Sequence, residues 1–307
     1  MWRFLWLVWV ISCAASIPVF AQRKKEAAEP DNKKPVAVIP FRIIDRHVVI
    51  PAVLSGSKDT LHFIFDTGAE VTVLDARVAT RLRLNGSKEA FMSGVNNGMI
   101  KVPVTSINAM YLNEIRLPYV NAYIENLENI SPVTPMDGVI GVALLKAYIV
   151  KIDYRQQQLV CYHKGRTPIG NTGRLVHFQL NYTTPVIDAV VQLPDGRTIP
   201  GHYHLTSGGD YGILFNWPFV DKNKLNTLLP TANTDRVQDM AKVLYYINSS
   251  IPQLELAGHN IKQVPVSYSK DVDDVGAFTE IAGAIGYEVW KQFTLTINYD
   301  KKELYIE

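Results

Sequence analysis

Asp66 follows the apolar run Phe63-Ile64-Phe65 and precedes Thr67, Gly68 and Ala69, after which Val71-Thr72-Val73-Leu74 resumes the apolar pattern. A strand entering such a turn delivers one carboxylate to the end of a sheet. Gly68 admits a tight backbone bend, and Thr67 supplies a hydroxyl to pin it. A carboxylate placed this way can take a proton from water and return it to a leaving group. The same order of residues also suits an ordinary turn in which Asp caps backbone amides. Downstream, Asp137-Gly138-Val139-Ile140-Gly141 offers a second short apolar segment ending in glycine.

The elements that must position these residues recur. Short alternating runs rich in Val, Ile, Tyr and Thr lie between clusters of Gly, Pro and Asn, which predicts a mostly β chain. Three blocks of the first half return in order in the second. Val49-Ile50-Pro51-Ala52-Val53 matches Val186-Ile187-Asp188-Ala189-Val190, each opening a hairpin, with turns at Ser55-Gly56-Ser57-Lys58 and Pro194-Asp195-Gly196. Residues 110–120, ending Leu117-Pro118-Tyr119-Val120, parallel residues 254–266, ending Gln263-Val264-Pro265-Val266. Asp137-Gly138-Val139-Ile140-Gly141 with Lys151-Ile152-Asp153-Tyr154 mirrors Gly283-Ala284-Ile285-Gly286 with Thr296-Ile297-Asn298-Tyr299. The spans from Asp66 to Gly141 and from Thr206 to Gly286 are nearly equal. The expected organisation is a signal peptide at 1–21, a charged linker at 22–35 and two duplicated lobes at 36–166 and 167–307.

Phe65-Asp66-Thr67-Gly68-Ala69, the downstream Val139-Ile140-Gly141 and the duplication resemble the pepsin and retropepsin-like aspartic peptidases over essentially the whole mature chain. That resemblance implies an all-β protein of two β-barrel lobes with a cleft between them, and an extended peptide or protein as substrate. It implies Asp66 as catalytic acid and base, with Thr67, Gly68, Ala69 and Gly141 supporting its turn. In the family two aspartates face each other and share one proton, because like charges so close cannot both ionise. Gly94, Val95, Asn96, Asn97 and Gly98 fall where the family's substrate-covering flap would lie, although a plain surface turn fits that composition equally well. Asp75 is expected to cap a short helix over residues 76–84.

Aligned on its glycines, the second copy departs. Thr206 stands opposite Asp66, Ser207 opposite Thr67, Gly208 opposite Gly68, and Gly286 opposite Gly141. The turn is retained and its carboxylate is gone. Asp210 corresponds to Glu70 and does not replace it. Three readings stay open: Asp66 pairs with Asp66 of a second copy in a homodimer, Asp66 works with a water held at Thr206, or the chain is an inactive pseudopeptidase that binds extended peptides.

Other constellations are weaker. His202-Tyr203-His204 places two imidazoles on one face of a strand but lacks a third metal ligand. Asp271, Asp273 and Asp274, with Gly276 and Glu280, miss the spacing of a calcium loop. Tyr203, Tyr211, Tyr245 and Tyr246 either line substrate subsites or serve as ordinary strand aromatics. No phosphate-cradling glycine loop or nucleophile turn is present, so neither cofactor nor metal is expected. A formal net charge of +2 gives no basis for nucleic-acid binding.

Arg3, the apolar run at 4–19 and Val19-Phe20-Ala21 predict export to the periplasm or beyond, with cleavage before Gln22 and no integral membrane domain thereafter. Lipid attachment at Cys13 is disfavoured by the apolar residues 17–20 that follow it. Cleavage leaves Cys161 alone, so the mature chain has no disulfide of its own. Sequons at Asn85, Asn129, Asn181 and Asn248 matter only in a eukaryotic secretory pathway.

Overall fold

A computed structural model describes residues 34–93, 99–128, 134–165, 173–238, 243–270 and 280–307. The signal and nearly all of the linker, the flap tip at 94–98, the boundary between residues 166 and 167, and the acidic cluster of Asp271, Asp273 and Asp274 lie outside these residues.

The first half comprises β1 (Ala37–Pro40), β2 (Arg42–Ile44), β3 (His47–Leu54), β4 (Leu61–Phe65), β5 (Thr72–Asp75), α1 (Ala76–Arg81), β6 (Lys88–Ser93), β7 (Met99–Leu112), β8 (Ile115–Glu125), β9 (Gly138–Ile140), α2 (Val142–Ala147), β10 (Ile149–Asp153) and β11 (Gln158–Tyr162). The second comprises β12 (Arg174–His177), β13 (Gln179–Asn181), β14 (Thr184–Gln192), β15 (Thr198–Leu205), β16 (Ile213–Phe215), α3 (Trp217–Asn223), α4 (Leu225–Leu228), β17 (Asn233–Gln238), β18 (Val243–Leu256), β19 (His259–Ser269), β20 (Gly283–Ile285), α5 (Tyr287–Trp290), β21 (Thr294–Asn298) and β22 (Glu303–Ile306).

The protein is predominantly β and two-lobed. One eight-stranded sheet runs β2-β3-β4-β9-β5-β8-β7-β6 and the other β13-β14-β15-β20-β16-β19-β18-β17. Each folds back on itself through an extra pairing, β3 with β7 and β14 with β18, so that buried residues of facing strands fill the interior. His47–Leu54 reads as a nearly continuous apolar run rather than an alternating one because both faces of β3 are packed, Val48 and Ile50 into the main core and Val49 against Ile64 and Met136.

A third sheet, ordered β1-β11-β10-β21-β22-β12, joins the halves. Its centre is the antiparallel pair β10–β21, in which Lys151 lies opposite Thr296. One apolar cluster runs from Phe63 and Phe65 in the first lobe through Ile152 and Ile297 to Trp290 in the second. Cys161 is buried on β11, and burial pushes its thiol up to about 12, leaving it inert at neutral pH.

Two sequence expectations shift in detail. Asp75 does cap α1, accepting from the Arg77 amide at 2.9 Å, but the helix ends at Arg81 rather than reaching residue 84. The alignment of Leu117–Val120 with Gln263–Val266 slips by two residues. Leu117 lies opposite Met110 and Ile261 opposite Leu254, so Val120 corresponds to Val264. Pro118 and Pro265 occupy different rungs, so matching the two prolines gives the wrong register.

Candidate active site

β4 carries Asp66 to the edge of the first sheet. Phe63, Ile64 and Phe65 are buried, pairing antiparallel with β3 and parallel with β9. The Asp66 amide then donates to the Ile140 carbonyl at 2.9 Å, and Ala69 donates back to the Asp66 carbonyl at 3.0 Å to close the turn. Gly141 passes so close that a Cβ there would overlap the Asp66 carbonyl oxygen, which accounts for glycine at the end of the apolar segment. The second lobe builds its turn alike: the Thr206 amide donates to the Ile285 carbonyl at 3.1 Å, and a Cβ on Gly286 would come within 2.6 Å of the Tyr211 carbonyl.

The two turns interlock. Thr67 Oγ1 donates to the Leu205 carbonyl at 2.8 Å, and Ser207 Oγ donates to the Phe65 carbonyl at 2.9 Å. Each hydroxyl oxygen also accepts from the other turn's amide, Ser207 N to Thr67 Oγ1 and Thr67 N to Ser207 Oγ, both at 3.0 Å. Both residues are buried, so all four bonds are shielded from water.

Asp66 Oδ1 accepts from the Gly68 amide at 2.8 Å and from the Gly208 amide of the opposing turn at 3.0 Å. Both amides thus converge on one oxygen. Oδ2 accepts no hydrogen bond from the described residues. Although Asp66 keeps some contact with solvent, protein packs densely around the carboxyl. Burial raises its pKa above the ordinary carboxylate value, opposed by the two glycine amides and by the charge of His47.

The opposing position has no acid. Thr206 Oγ1 donates to the Ile285 carbonyl at 3.1 Å and meets the Tyr211 hydroxyl at 3.1 Å. The carbonyl can only accept, so Thr206 spends its proton there and receives that of Tyr211. Its methyl group faces Gly68. Asp210 and Glu70 sit beyond the turns, where the Asp210 carbonyl accepts from Arg46 and Glu70 from the Thr183 amide.

Sequence reasoning missed several neighbours of Asp66. His47, 7% exposed, places Nδ1 2.7 Å from the Gly208 carbonyl. Thr184 mirrors it, donating Oγ1 to the Gly68 carbonyl at 3.3 Å. Both lie two residues before the matched Val49 and Val186, so extending the repeat upstream would have exposed the pair. Tyr154, at the end of β10, is buried with a hydroxyl that has no protein partner, and its ionisation is opposed by burial, by Tyr287 and by the charge of Asp66.

The remaining candidates stand apart. His202 Nδ1 lies 2.6 Å from Asp188 Oδ1 on an exposed face, while burial holds His204 neutral, its pKa lowered to about 4. Among the described residues no group of His, Cys, Asp and Glu side chains is arranged to hold a metal. Tyr203 is fully buried in the core and cannot line a subsite, Tyr211 braces Thr206, and Tyr245 is exposed on β18. No helix of the described residues is long and apolar enough to cross a membrane.

Residues 50–144 match the family model described as aspartyl protease, a segment that contains Asp66, Thr67, Gly68, Ala69 and Gly141. No curated protein matches the chain. That match, set on two interlocked turns of which one presents a carboxylate, makes the segment at 50–144 similar to the aspartic peptidases of the retropepsin-like family and supports that family for the chain.

Proposed function

We propose that this protein hydrolyses peptide bonds with Asp66 as its acid and base, acting on an extended chain held between the lobes. The observation that carries this reading is the division of labour on the carboxyl: Oδ1 is fixed by amides from both turns, and Oδ2 accepts no hydrogen bond among the described residues. As carboxylate, Asp66 takes a proton from water while the water oxygen adds to the peptide carbonyl. As acid, it returns that proton to the departing amide nitrogen when the carbon–nitrogen bond breaks. Burial raises the Asp66 pKa, which favours the protonated form that must return a proton to the leaving nitrogen.

The lock between Thr67 and Ser207 supports a centre built inside one chain. Pairing Asp66 with Asp66 of a second copy would break four buried hydrogen bonds and displace a covalently linked partner at high effective concentration. Sedimentation under cleaving conditions should therefore show a monomer. A dimer whose dissociation abolishes cleavage would restore the intermolecular reading. Export places the substrate in the periplasm or outside the cell.

Thr206 favours a second reading, in which the chain binds peptides without cutting them, because its only proton is committed to Ile285. One experiment separates the two: purified mature protein and its Asp66→Asn variant are incubated with a diverse peptide pool at acidic and neutral pH. Cleavage by the native chain that the variant loses supports the hydrolase. Retention of peptides with no cleavage by either supports the binding module.

A further inference from the structure

The lobes are mirrored at almost every position of the centre, and two mirrored pairs break the pattern together. Asp66 is matched by Thr206, and His47 by Thr184. The half that lost its acid is the half whose turn carries an imidazole: His47 reaches across from β3 to the carbonyl of Gly208, two residues beyond Thr206. The Gly208 amide, in turn, donates to Asp66 Oδ1. One residue of the altered turn therefore links His47 and Asp66 on its two sides.

We propose that His47 is the second ionisable group of this centre, a positioning residue that, linked to Asp66 through the Gly208 peptide, favours the Asp66 anion against the burial that opposes it. The inference deepens the hydrolase reading and rests on it for its catalytic meaning. Because the Gly208 carbonyl can only accept, Nδ1 must donate, which fixes the orientation of the ring. The backbone that aims the ring is itself constrained. Asp45 and Arg46, which join β2 to β3, have φ of 48° and 66°, a left-handed two-residue turn made without glycine. Arg46 then docks on the second lobe, donating to the Asp210 carbonyl at 3.2 Å and standing 3.6 Å from Glu288.

The surrounding groups leave this role to His47. Tyr154, Tyr211 and Tyr287 border the site from β10, from the segment before β16 and from α5. Burial pushes Tyr154 and Tyr211 above the ordinary phenol value, so they stay neutral. Arg46 is engaged with Asp210 and Glu288, whereas Glu70 and Asp210 carry the wrong sign to favour the Asp66 anion. His47 is the cationic neighbour whose charge stabilises it.

The test is the titration of the Asp66 side-chain carboxyl, followed by carbon NMR in the intact mature protein and in His47→Asn. Asparagine keeps a donor at the position of Nδ1 and so preserves the bond to Gly208 while removing the charge. The expected result is an upward shift of the Asp66 midpoint, since the lost positive charge no longer favours the anion. An unchanged or lowered midpoint overturns the proposal. If that variant does not fold, His47→Gln removes the same charge, with its amide at the position of Nε2, and its Asp66 midpoint is read by the same criterion. The readout needs no substrate, so a chain that proves unable to cleave peptides still decides the role of His47 separately.

Discussion

At Asp66 burial and hydrogen bonding oppose each other, and burial dominates, so folding costs the charged form more than the neutral one. The sign for stability follows. A carboxyl whose pKa is raised on folding binds more protons in the native state, and native stability falls as pH rises from the unfolded value of about 4 through the folded one. Asp66→Asn keeps an acceptor for the Gly68 and Gly208 amides yet removes the charge. It should raise the melting temperature at neutral pH, with the gain shrinking toward pH 3, as thermal unfolding across a pH series would show. At the opposing position, Thr206→Asp restores a carboxylate next to the Gly208 amide, and two acids sharing a proton should lift kcat/KM for peptide cleavage at acidic pH by about a hundredfold. A variant that folds and cleaves no faster would show that the centre lacks more than its second acid.

At the level of elements, the two turns depend on each other as well as on their own strands. Removing the Thr67 hydroxyl as Thr67→Val leaves the Leu205 carbonyl and the Ser207 amide unpaired in the core, and Ser207→Ala does the same to the Phe65 carbonyl and the Thr67 amide. Each change should destabilise the protein by roughly 2–4 kcal/mol in denaturant unfolding. The double variant should cost less than the sum, because both act on one network. Gly141→Ala should cost about 3 kcal/mol by overpacking and exceed Gly286→Ala, since the added methyl overlaps a carbonyl more severely in the first lobe. The strands, the Asp66 turn and the short apolar segments beside it could be read from the sequence because each is local: period-two burial, a glycine, a hydroxyl. His47 carries no local signal, because its partner lies 161 residues away and a lone histidine at the head of an apolar strand is ordinary; only the repeat, extended two residues upstream to Thr184, marks it. The two-residue slip at Val120 and Val264 has the same origin, since register is fixed by pairing across strands rather than by composition.

Over the whole molecule, two observations predict that the lobes unfold together. The six-stranded sheet takes β1, β10 and β11 from the first half and β12, β21 and β22 from the second, and the apolar cluster is continuous across both. A local injury in one lobe must therefore reach the other. Trp290 is the sharpest place to apply it: the ring is fully buried, and its Nε1 donates at 2.6 Å to the Ile285 carbonyl, which also receives Thr206. Trp290→Ala should cost about 3–5 kcal/mol and loosen the second turn, and through Thr67 and Ser207 it should disturb Asp66 as well. Calorimetry should show one transition in the native protein, with calorimetric and van't Hoff enthalpies equal, and one transition at lower temperature in the variant. Two resolved transitions, with only the lower one moved by Trp290→Ala, would mean that each lobe keeps its own core and that the lock around Asp66 is a contact between independently stable units.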